Sequence, residues 1–180
     1  MKDKQQEYTI VIIEDDRSTV LFYEKSLKRT IDDLKIYSFT EVSKDLFTTV
    51  TENHINLFIV DIHLGKHNGI DLATDLQLSN PDSTFLFISG YKYSSDDFAY
   101  FDGKCIYDFM KKPVTSDELT IRVKALINIS KSFNKFLGYI KAMQDECIDL
   151  KMDALREKYF AMVKQDRAMI KGLMSKLEIK

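Results

Sequence analysis

The sequence contains few residues of the kinds that define several common classes of protein. Its two cysteines, Cys105 and Cys147, lie far apart, and neither is part of a C-x-x-C motif or close to a histidine. This argues against a zinc site and against a disulfide framework. No apolar run approaches the roughly 20 residues that span a bilayer. The first seven residues are polar and include acids, unlike a signal peptide. These absences predict a soluble, cytoplasmic chain with free thiols.

An excess of charge of either sign is also missing. The 26 Lys and Arg residues are nearly balanced by 28 Asp and Glu, so the net charge is −2. The uniformly basic composition of a general nucleic-acid binder is therefore not present. The 180 residues are 44% hydrophobic and 12% aromatic, which is enough to bury a core. This length predicts one domain and an appendage.

The first two-thirds of the chain alternates short β-branched or aromatic runs with amphipathic segments. This alternation is typical of an α/β domain with a parallel sheet, and the nearly continuous apolarity of the runs predicts strands covered on both faces. The predicted strands are Tyr8–Ile13, Leu34–Phe39, Leu57–Val60, Thr84–Ile88 and Ile106–Met110. The predicted helices are Ser18–Arg29, Glu41–Val50 behind a Thr40 cap, Gly69–Leu78, a short one at Asp96–Phe101, and one after Pro113, where Thr115 and Glu118 have capping-box spacing.

The chain changes character at Ile129. From there to Lys180 it has no strand-like run and no proline, which predicts helix. A straight helix of this length would extend for roughly 80 Å, so it must bend back, pair or project. Apolar residues recur every seven positions at Ile148, Leu155, Met162 and Met169, and an earlier series at Phe133, Ile140 and Cys147 is displaced by one position. A stutter or a hairpin near residues 147–152 would explain the displacement.

The partner of this helical segment is left open by its sequence. Residues 129–180 carry 11 Lys and Arg against 7 acids, a charge of +4, which leaves −6 on the rest of the chain. Because the acids are interleaved with the lysines, a solvated helix face is favoured over a DNA-binding arm. We expect self-association through residues 129–180. A parallel dimer, an antiparallel hairpin and a helix docked on its own domain all fit the heptad pattern.

The sharpest local signal is an acidic triplet, Glu14-Asp15-Asp16, directly after the apolar run Ile10–Ile13. Acids crowded at the end of a buried strand repel one another unless a cation or protons intervene. Magnesium binds through one or two protein carboxylates together with waters and phosphate oxygens, which so small a cluster can supply. Taken alone, the triplet also fits the acidic N-terminus of a helix.

Further polar residues follow three other predicted strands. Asp61 ends the third run, Ser89 ends the fourth, and Lys112 with Pro113 follows the fifth. A doubly wound sheet builds its binding site beyond the carboxyl ends of its strands. We therefore expect the acid pair, the single acid, the hydroxyl and the lysine to meet at one edge of the sheet.

This ordered set of residues resembles the response-regulator receiver domain of bacterial two-component signalling, over about residues 7–128. The resemblance implies a flavodoxin-like, doubly wound five-stranded parallel sheet. It divides the chain into a receiver domain at residues 1–128 and a helical extension at residues 129–180. The extension is expected to be a long helical tail, as a coiled coil or dimerisation element.

The resemblance also implies a role for each matching side chain. Asp61 is the expected phosphoacceptor, Lys112 the phosphate-binding lysine and Ser89 the hydroxyl switch residue. Phe109 occupies the aromatic switch position, and a cis peptide bond is implied before Pro113. Physically, Asp61 would be the nucleophile, while the ammonium of Lys112 would balance charge on the phosphoryl oxygens.

The implied cofactor is Mg²⁺. Glu14 and Asp15 match the magnesium-binding acid pair, Asp61 is the third acid, and the backbone carbonyl of His63 completes the metal shell in the family. Gly69 matches the glycine that opens the third helix. His63 also matches a position that tunes the lifetime of the phosphoryl group, as does Tyr91. Two interpretations of these side chains stay open: they shade the site from water, or they are ordinary exposed loop residues.

Two stretches depart from the family pattern. The usual proline-containing loop after the phosphoacceptor is here Leu64-Gly65-Lys66-His67, which leaves the stiffness of the loop open. Residues 91–103 are poor helix sequence where the fourth helix of the family belongs. The dimer interface usual in the family is therefore not expected to carry over unchanged.

The function implied by the resemblance is that of a response regulator. A histidine kinase or phosphotransfer protein would supply the phosphoryl group, and the helical tail would signal by protein contact. We expect neither DNA nor a membrane as a partner, and no enzymatic activity beyond the chain's own phosphotransfer and dephosphorylation. The alternative is a receiver and signalling linker of a longer protein whose enzymatic or DNA-binding output domain is absent. A hydrolytic phosphatase is disfavoured because Asp61-Ile62-His63 lacks a second acid two residues on.

Overall fold

A computed structural model describes residues 8–101 and 103–146 and contains the predicted five-stranded parallel sheet. All five strands lie within one residue of their predicted bounds. They are β1 (Tyr8–Ile13), β2 (Leu34–Phe39), β3 (Leu57–Asp61), β4 (Thr84–Ser89) and β5 (Tyr107–Lys111), and they pair in the order β2-β1-β3-β4-β5. This is the flavodoxin-like order, in which the chain reverses direction across the sheet at β1 and β3. The predicted fold class is confirmed.

Helices connect the strands in the predicted alternation. They are α1 (Arg17–Lys28), α2 (Lys44–Glu52), α3 (Gly69–Ser79) and α4 (Ser116–Glu146). The sheet is buried on both faces, because successive residues of the central strands, such as Ile12 and Ile13 or Ile59 and Val60, are all 1% exposed or less. Burying each such side chain contributes roughly 1.5–3 kcal/mol relative to exposure.

Two predicted helix starts are tested by the hydrogen bonds of their caps. The capping box at α4 is confirmed, since the Thr115 N–H donates to Glu118 Oε2 at 3.1 Å and the Glu118 N–H donates to Thr115 Oγ1 at 3.2 Å. The Thr40 cap is wrong. Helix α2 begins three residues later, because the Ser43 side chain accepts the Leu46 N–H, a bond that Thr40 is placed too early to make.

The short helix predicted at Asp96–Phe101 is also corrected. The described residues of this segment form a single 3-10 turn, Ser95–Phe98. The carboxylate of Asp97 accepts the backbone N–H of Ser94 at 2.8 Å, which closes the turn at its start. Phe98 and Phe101 are 6% and 0% exposed. The packing of these two rings in the core therefore determines the backbone of this segment, and a regular helix does not form.

Helix α4 runs without a break across the predicted boundary at residue 128. The chain divides into two units, one ending at Leu126 and the other beginning at Ile127. The division into a receiver and an extension stays a prediction, and the heptad residues from Cys147 onward and the stutter at 147–152 lie outside the described residues. Within residues 8–101 and 103–146, no helix is long and apolar enough to cross a membrane.

Candidate functional site

The carboxyl edge of the sheet brings together the polar residues that follow four separate strands. Ile13 pairs with Val60, so the residues after them, Glu14 and Asp61, emerge side by side. Lys112, which follows β5, reaches across to both of them. Its ammonium lies 2.7 Å from Glu14 Oε2 and 2.6 Å from Asp61 Oδ2. One cation therefore bridges two carboxylates whose side chains are only 2% and 6% exposed.

Three carboxylates cluster at this edge. Glu14, Asp15 and Asp61 each offer an oxygen, and these oxygens lie within 4.8 Å of one another. Glu14 and Asp61 are buried, whereas Asp15 is exposed to solvent. A small set of hard oxygen ligands open to water on one side fits Mg²⁺, which keeps several waters when it binds to proteins. The predicted metal acids are thus brought together.

Burial and hydrogen bonding shift the pKa values of Glu14 and Lys112. Burial raises the pKa of Glu14 to about 6, the negative charge of Asp61 adds to the rise, and the hydrogen bond from Lys112 opposes it. Burial would lower the pKa of Lys112, but its hydrogen bonds to Asp61 and Glu14 outweigh this and raise it. Lys112 is therefore held as a cation at neutral pH.

The loop after β3 orients two of the acids through backbone N–H groups. The N–H of His63 donates to Asp61 Oδ1 at 3.0 Å, and the N–H of Gly65 donates to Asp15 Oδ2 at 3.1 Å. Here the loop is a short hairpin, in which His63–Leu64 pairs antiparallel with His67–Asn68. The left-handed conformation of Gly65, with φ of 59°, forms its turn. A hairpin thus replaces the proline-containing loop.

Ser89 lies at the end of β4 and is fully buried. Its Oγ accepts the N–H of Tyr91 at 3.2 Å, and its carbonyl oxygen accepts the N–H of Lys112 at 2.7 Å. The Lys112-Pro113 peptide bond is cis, as the resemblance implied. The hydroxyl residue and the lysine are therefore joined directly through the backbone.

The predicted aromatic switch residue, Phe109, lies outside the acid cluster. It is half-buried on β5, and its ring centroid lies 6.0 Å from that of Tyr93 and 6.1 Å from that of Phe98. Neither of these two rings was singled out from the sequence. Tyr93 follows Ser89 by four residues and contacts His63 as well, a relation that no local pattern could show.

The chain matches one protein family over most of its length. Residues 10–124 fit the family model described as the response regulator receiver domain. A curated relative, transcriptional regulatory protein RprY of Bacteroides fragilis, is 23% identical over 137 residues, which cover 71% of this chain and 52% of the relative. The chain spans about half the length of the curated relatives it matches.

Solved structures share the fold. A response regulator from Thermotoga maritima is 21% identical with a TM-score of 0.57, and the match covers 68% of this chain and 99% of that one. A CheY-like receiver domain from Methanospirillum hungatei is 17% identical with a TM-score of 0.61, covering 70% and 98% of the two chains. At these identities the similarity shows a common architecture.

Proposed function

Because the chain belongs to the response regulator receiver domain family of signalling proteins, we propose that it accepts a phosphoryl group on Asp61 from a histidine kinase or phosphotransfer protein. The observation that carries the proposal is the contact of one lysine, Lys112, with both Asp61 and Glu14 at the carboxyl edge of the sheet. No other activity is proposed beyond the chain's own phosphotransfer and dephosphorylation.

Asp61 is proposed as the nucleophile. One of its carboxylate oxygens forms a bond to phosphorus, the phosphorus–nitrogen bond of the donor's phosphohistidine breaks, and the imidazole leaves with the electron pair. The contacts of Asp61 support this role, because the N–H of His63 and the ammonium of Lys112 each hold one of its oxygens. Such transfers depend mainly on positioning and on charge neutralisation.

Glu14, Asp15, Asp61 and the backbone carbonyl of His63 are proposed to hold Mg²⁺. When bound, the metal supplies positive charge that neutralises the phosphoryl oxygens. Lys112 would supply the second positive charge, by exchanging its contact with Asp61 for one with the phosphoryl group. The hydroxyl of Ser89 is free to donate a hydrogen bond to a phosphoryl oxygen while its oxygen accepts the Tyr91 N–H.

The output is proposed to be a change in protein contacts. Phosphorylation adds about two negative charges at Asp61. Ser89 and Phe109 are proposed to respond, and residues 129–180 to change their self-association or their partner. The alternative, a receiver and signalling linker of a longer protein, keeps the same chemistry at Asp61 and differs only in what the helix is connected to.

The test is uptake of phosphate from a small-molecule donor. Incubated with acetyl phosphate and Mg²⁺, the protein is expected to gain one phosphoryl unit per chain by intact mass. Asp61→Asn is expected to gain none. Asp75→Asn, which alters an exposed aspartate of α3, is the matched control and is expected to label like the wild type. Equal labelling of Asp61→Asn and the wild type would refute the assignment.

The raised pKa of Glu14 makes magnesium binding dependent on pH. The folded protein keeps a proton on Glu14 up to about pH 6, whereas the ordinary pKa is 4.5. This group therefore makes the metal-free protein less stable as the pH rises from 4.5 to about 6. Because the metal must displace that proton, we expect magnesium affinity to fall about tenfold between pH 7.5 and pH 5.

Calorimetric titration with MgCl₂ across this pH range measures the effect. Glu14→Gln removes the titrating group, so its weaker magnesium binding is expected to change much less between pH 7.5 and pH 5. Affinity of the wild type that is flat with pH would show that Glu14 is already ionised in the folded protein.

A further inference from the structure

Three aromatic side chains meet between the two loops that follow Asp61 and Ser89. The ring of His63, in the loop after β3, lies 4.7 Å from the ring of Tyr91, in the loop after β4. The hydroxyl oxygen of Tyr93 lies 3.1 Å from His63 Nδ1 and 3.4 Å from His63 Nε2, within hydrogen-bonding distance of both ring nitrogens. The two loops are thus joined through the imidazole.

Two of these aromatic residues contact, through their backbone, the side chains that are proposed to accept and to bind the phosphoryl group. The backbone N–H of His63 donates to Asp61 Oδ1, and the backbone N–H of Tyr91 donates to Ser89 Oγ. A change in the position of either loop therefore reaches Asp61 or Ser89 through a single hydrogen bond. The contact between the rings of His63 and Tyr91 therefore links the loop that orients Asp61 to the loop that follows Ser89.

Within the part of the chain that the structure describes, the side-chain rings of His63 and Tyr91 contact no aromatic ring outside this group of three. Both are exposed, Tyr91 by 66%, and exposed side chains exchange rotamers unless a contact restrains them. Tyr93 is different, because its ring meets Phe98 and Phe109 edge-on, at 6.2 and 6.0 Å between centroids. Tyr93 is therefore the anchored member, and its hydroxyl restrains the imidazole.

We propose that Tyr93 is a positioning residue that holds His63 against Tyr91 over the phosphoacceptor and so lengthens the life of the phosphoryl group. The inference rests on the proposed function of Asp61. It goes beyond the expected shading by His63 and Tyr91, because it assigns the control to a third residue that reaches the site only through the imidazole.

The affected step is hydrolysis of the acyl phosphate. A water oxygen forms a bond to phosphorus, the bond from phosphorus to the Asp61 carboxylate oxygen breaks, and the carboxylate leaves with the electron pair while the proton of water passes to phosphate or solvent. Water must approach phosphorus on the side away from Asp61. A restrained imidazole beside that path lowers the fraction of time for which water has access.

Tyr93→Phe removes the hydroxyl and keeps the ring contacts. A hydrogen bond of this kind changes a side-chain population about two- to tenfold, so we expect the half-life of phosphorylated Asp61 to shorten by that factor. Tyr100→Phe is the matched control, because it removes the hydroxyl of another half-buried tyrosine after β4 whose ring contacts Phe101. Its half-life is expected to equal that of the wild type.

A double-mutant cycle separates positioning from a structural effect. His63→Ala should shorten the half-life, and adding Tyr93→Phe to it should shorten it no further, because the hydroxyl then has nothing to hold. A half-life of Tyr93→Phe that is unchanged or longer overturns the proposal, as does a full additional effect in the His63→Ala background.

The hydrogen bond can also be measured without phosphorylation. The imidazole signals of His63 in NMR spectra, assigned with His63→Ala, are expected to shift in Tyr93→Phe and to stay in place in Tyr100→Phe. Shifted signals together with failure to label Asp61 would refute the proposed function alone. Labelling of Asp61 with unshifted His63 signals and an unchanged half-life would refute only the role of Tyr93.

Discussion

Lys112→Met is expected to destabilise the metal-free protein by about 2–3 kcal/mol at pH 7.5. Removing one partner from a buried ion pair costs about 3–5 kcal/mol, and the partial exposure of Lys112, 29%, places the effect below that range. The substitution keeps most of the side-chain volume but leaves the buried Glu14 and Asp61 without their shared cation. Urea unfolding in EDTA measures the loss.

The pH dependence of this loss identifies its cause. Without the ammonium, the pKa of Glu14 rises further, because the hydrogen bond and the positive charge of Lys112 both lower it. Protonation then relieves the repulsion, so the loss is expected to shrink at pH 5. Lys111→Met, at the exposed neighbouring position, is the control and is expected to leave stability within about 0.5 kcal/mol of the wild type. An equal loss for Lys112→Met at both pH values would point to packing as the cause.

Gly69→Ala is expected to cost about 3 kcal/mol or more and to abolish labelling of Asp61. A Cβ added at Gly69 would overlap the carbonyl oxygen of Asp61 and would lie 2.9 Å from both the carbonyl carbon of Asp61 and the Cα of Ile62. These are backbone atoms, and the Gly69 N–H is bonded to the Ile62 carbonyl oxygen at 2.8 Å. Overpacking costs about 1–3 kcal/mol where neighbouring side chains can move aside. The atoms next to Gly69 belong to the backbone, which cannot move aside as a side chain does, so we expect a cost at or above the top of that range.

The same clash explains why labelling should fail. The start of α3 can accept a Cβ only if the backbone of Asp61 moves, and that movement displaces the carboxylate from Lys112. Gly90→Ala is the stability control, since a Cβ there meets no atom within 4 Å among the described residues. Unfolding curves and intact mass after acetyl phosphate treatment give both readouts. Stability of Gly69→Ala within about 1 kcal/mol of the wild type would show that the loop yields more easily than this geometry allows.

The local sequence pattern was sufficient to predict the strands, because a strand that is buried on both faces is a continuous apolar run, whichever strand it pairs with. It was also sufficient for the capping box at Thr115 and Glu118, which are three residues apart. It was insufficient for α2, where two side chains in the same short loop, Thr40 and Ser43, could each cap a helix. The helix predicted at Asp96–Phe101 is instead a 3-10 turn at Ser95–Phe98, because packing of aromatic rings from distant strands decided the conformation of this segment.

The residues of the candidate site could be predicted from the sequence, but their contacts with one another could not. The residues at the ends of the predicted strands are known from the sequence, so Glu14, Asp61, Ser89 and Lys112 could be named. The resemblance supplied their proposed roles. Their meeting depends on the strand order and on the pairing of Ile13 with Val60, which arise from contacts far apart in the sequence.

The α/β class, the strands and the polar residues at their carboxyl ends could be predicted from local sequence, since these follow from the period of hydrophobic residues and from their immediate neighbours. Three features emerge from long-range packing: one lysine bridges two buried acids, Gly69 leaves no room for a side chain, and Tyr93 reaches His63. Each of these depends on a distance of a few ångströms between residues 30 to 98 positions apart, or on backbone packed against backbone across a loop. Such distances are set by the packing of the whole sheet, which no local stretch of sequence specifies.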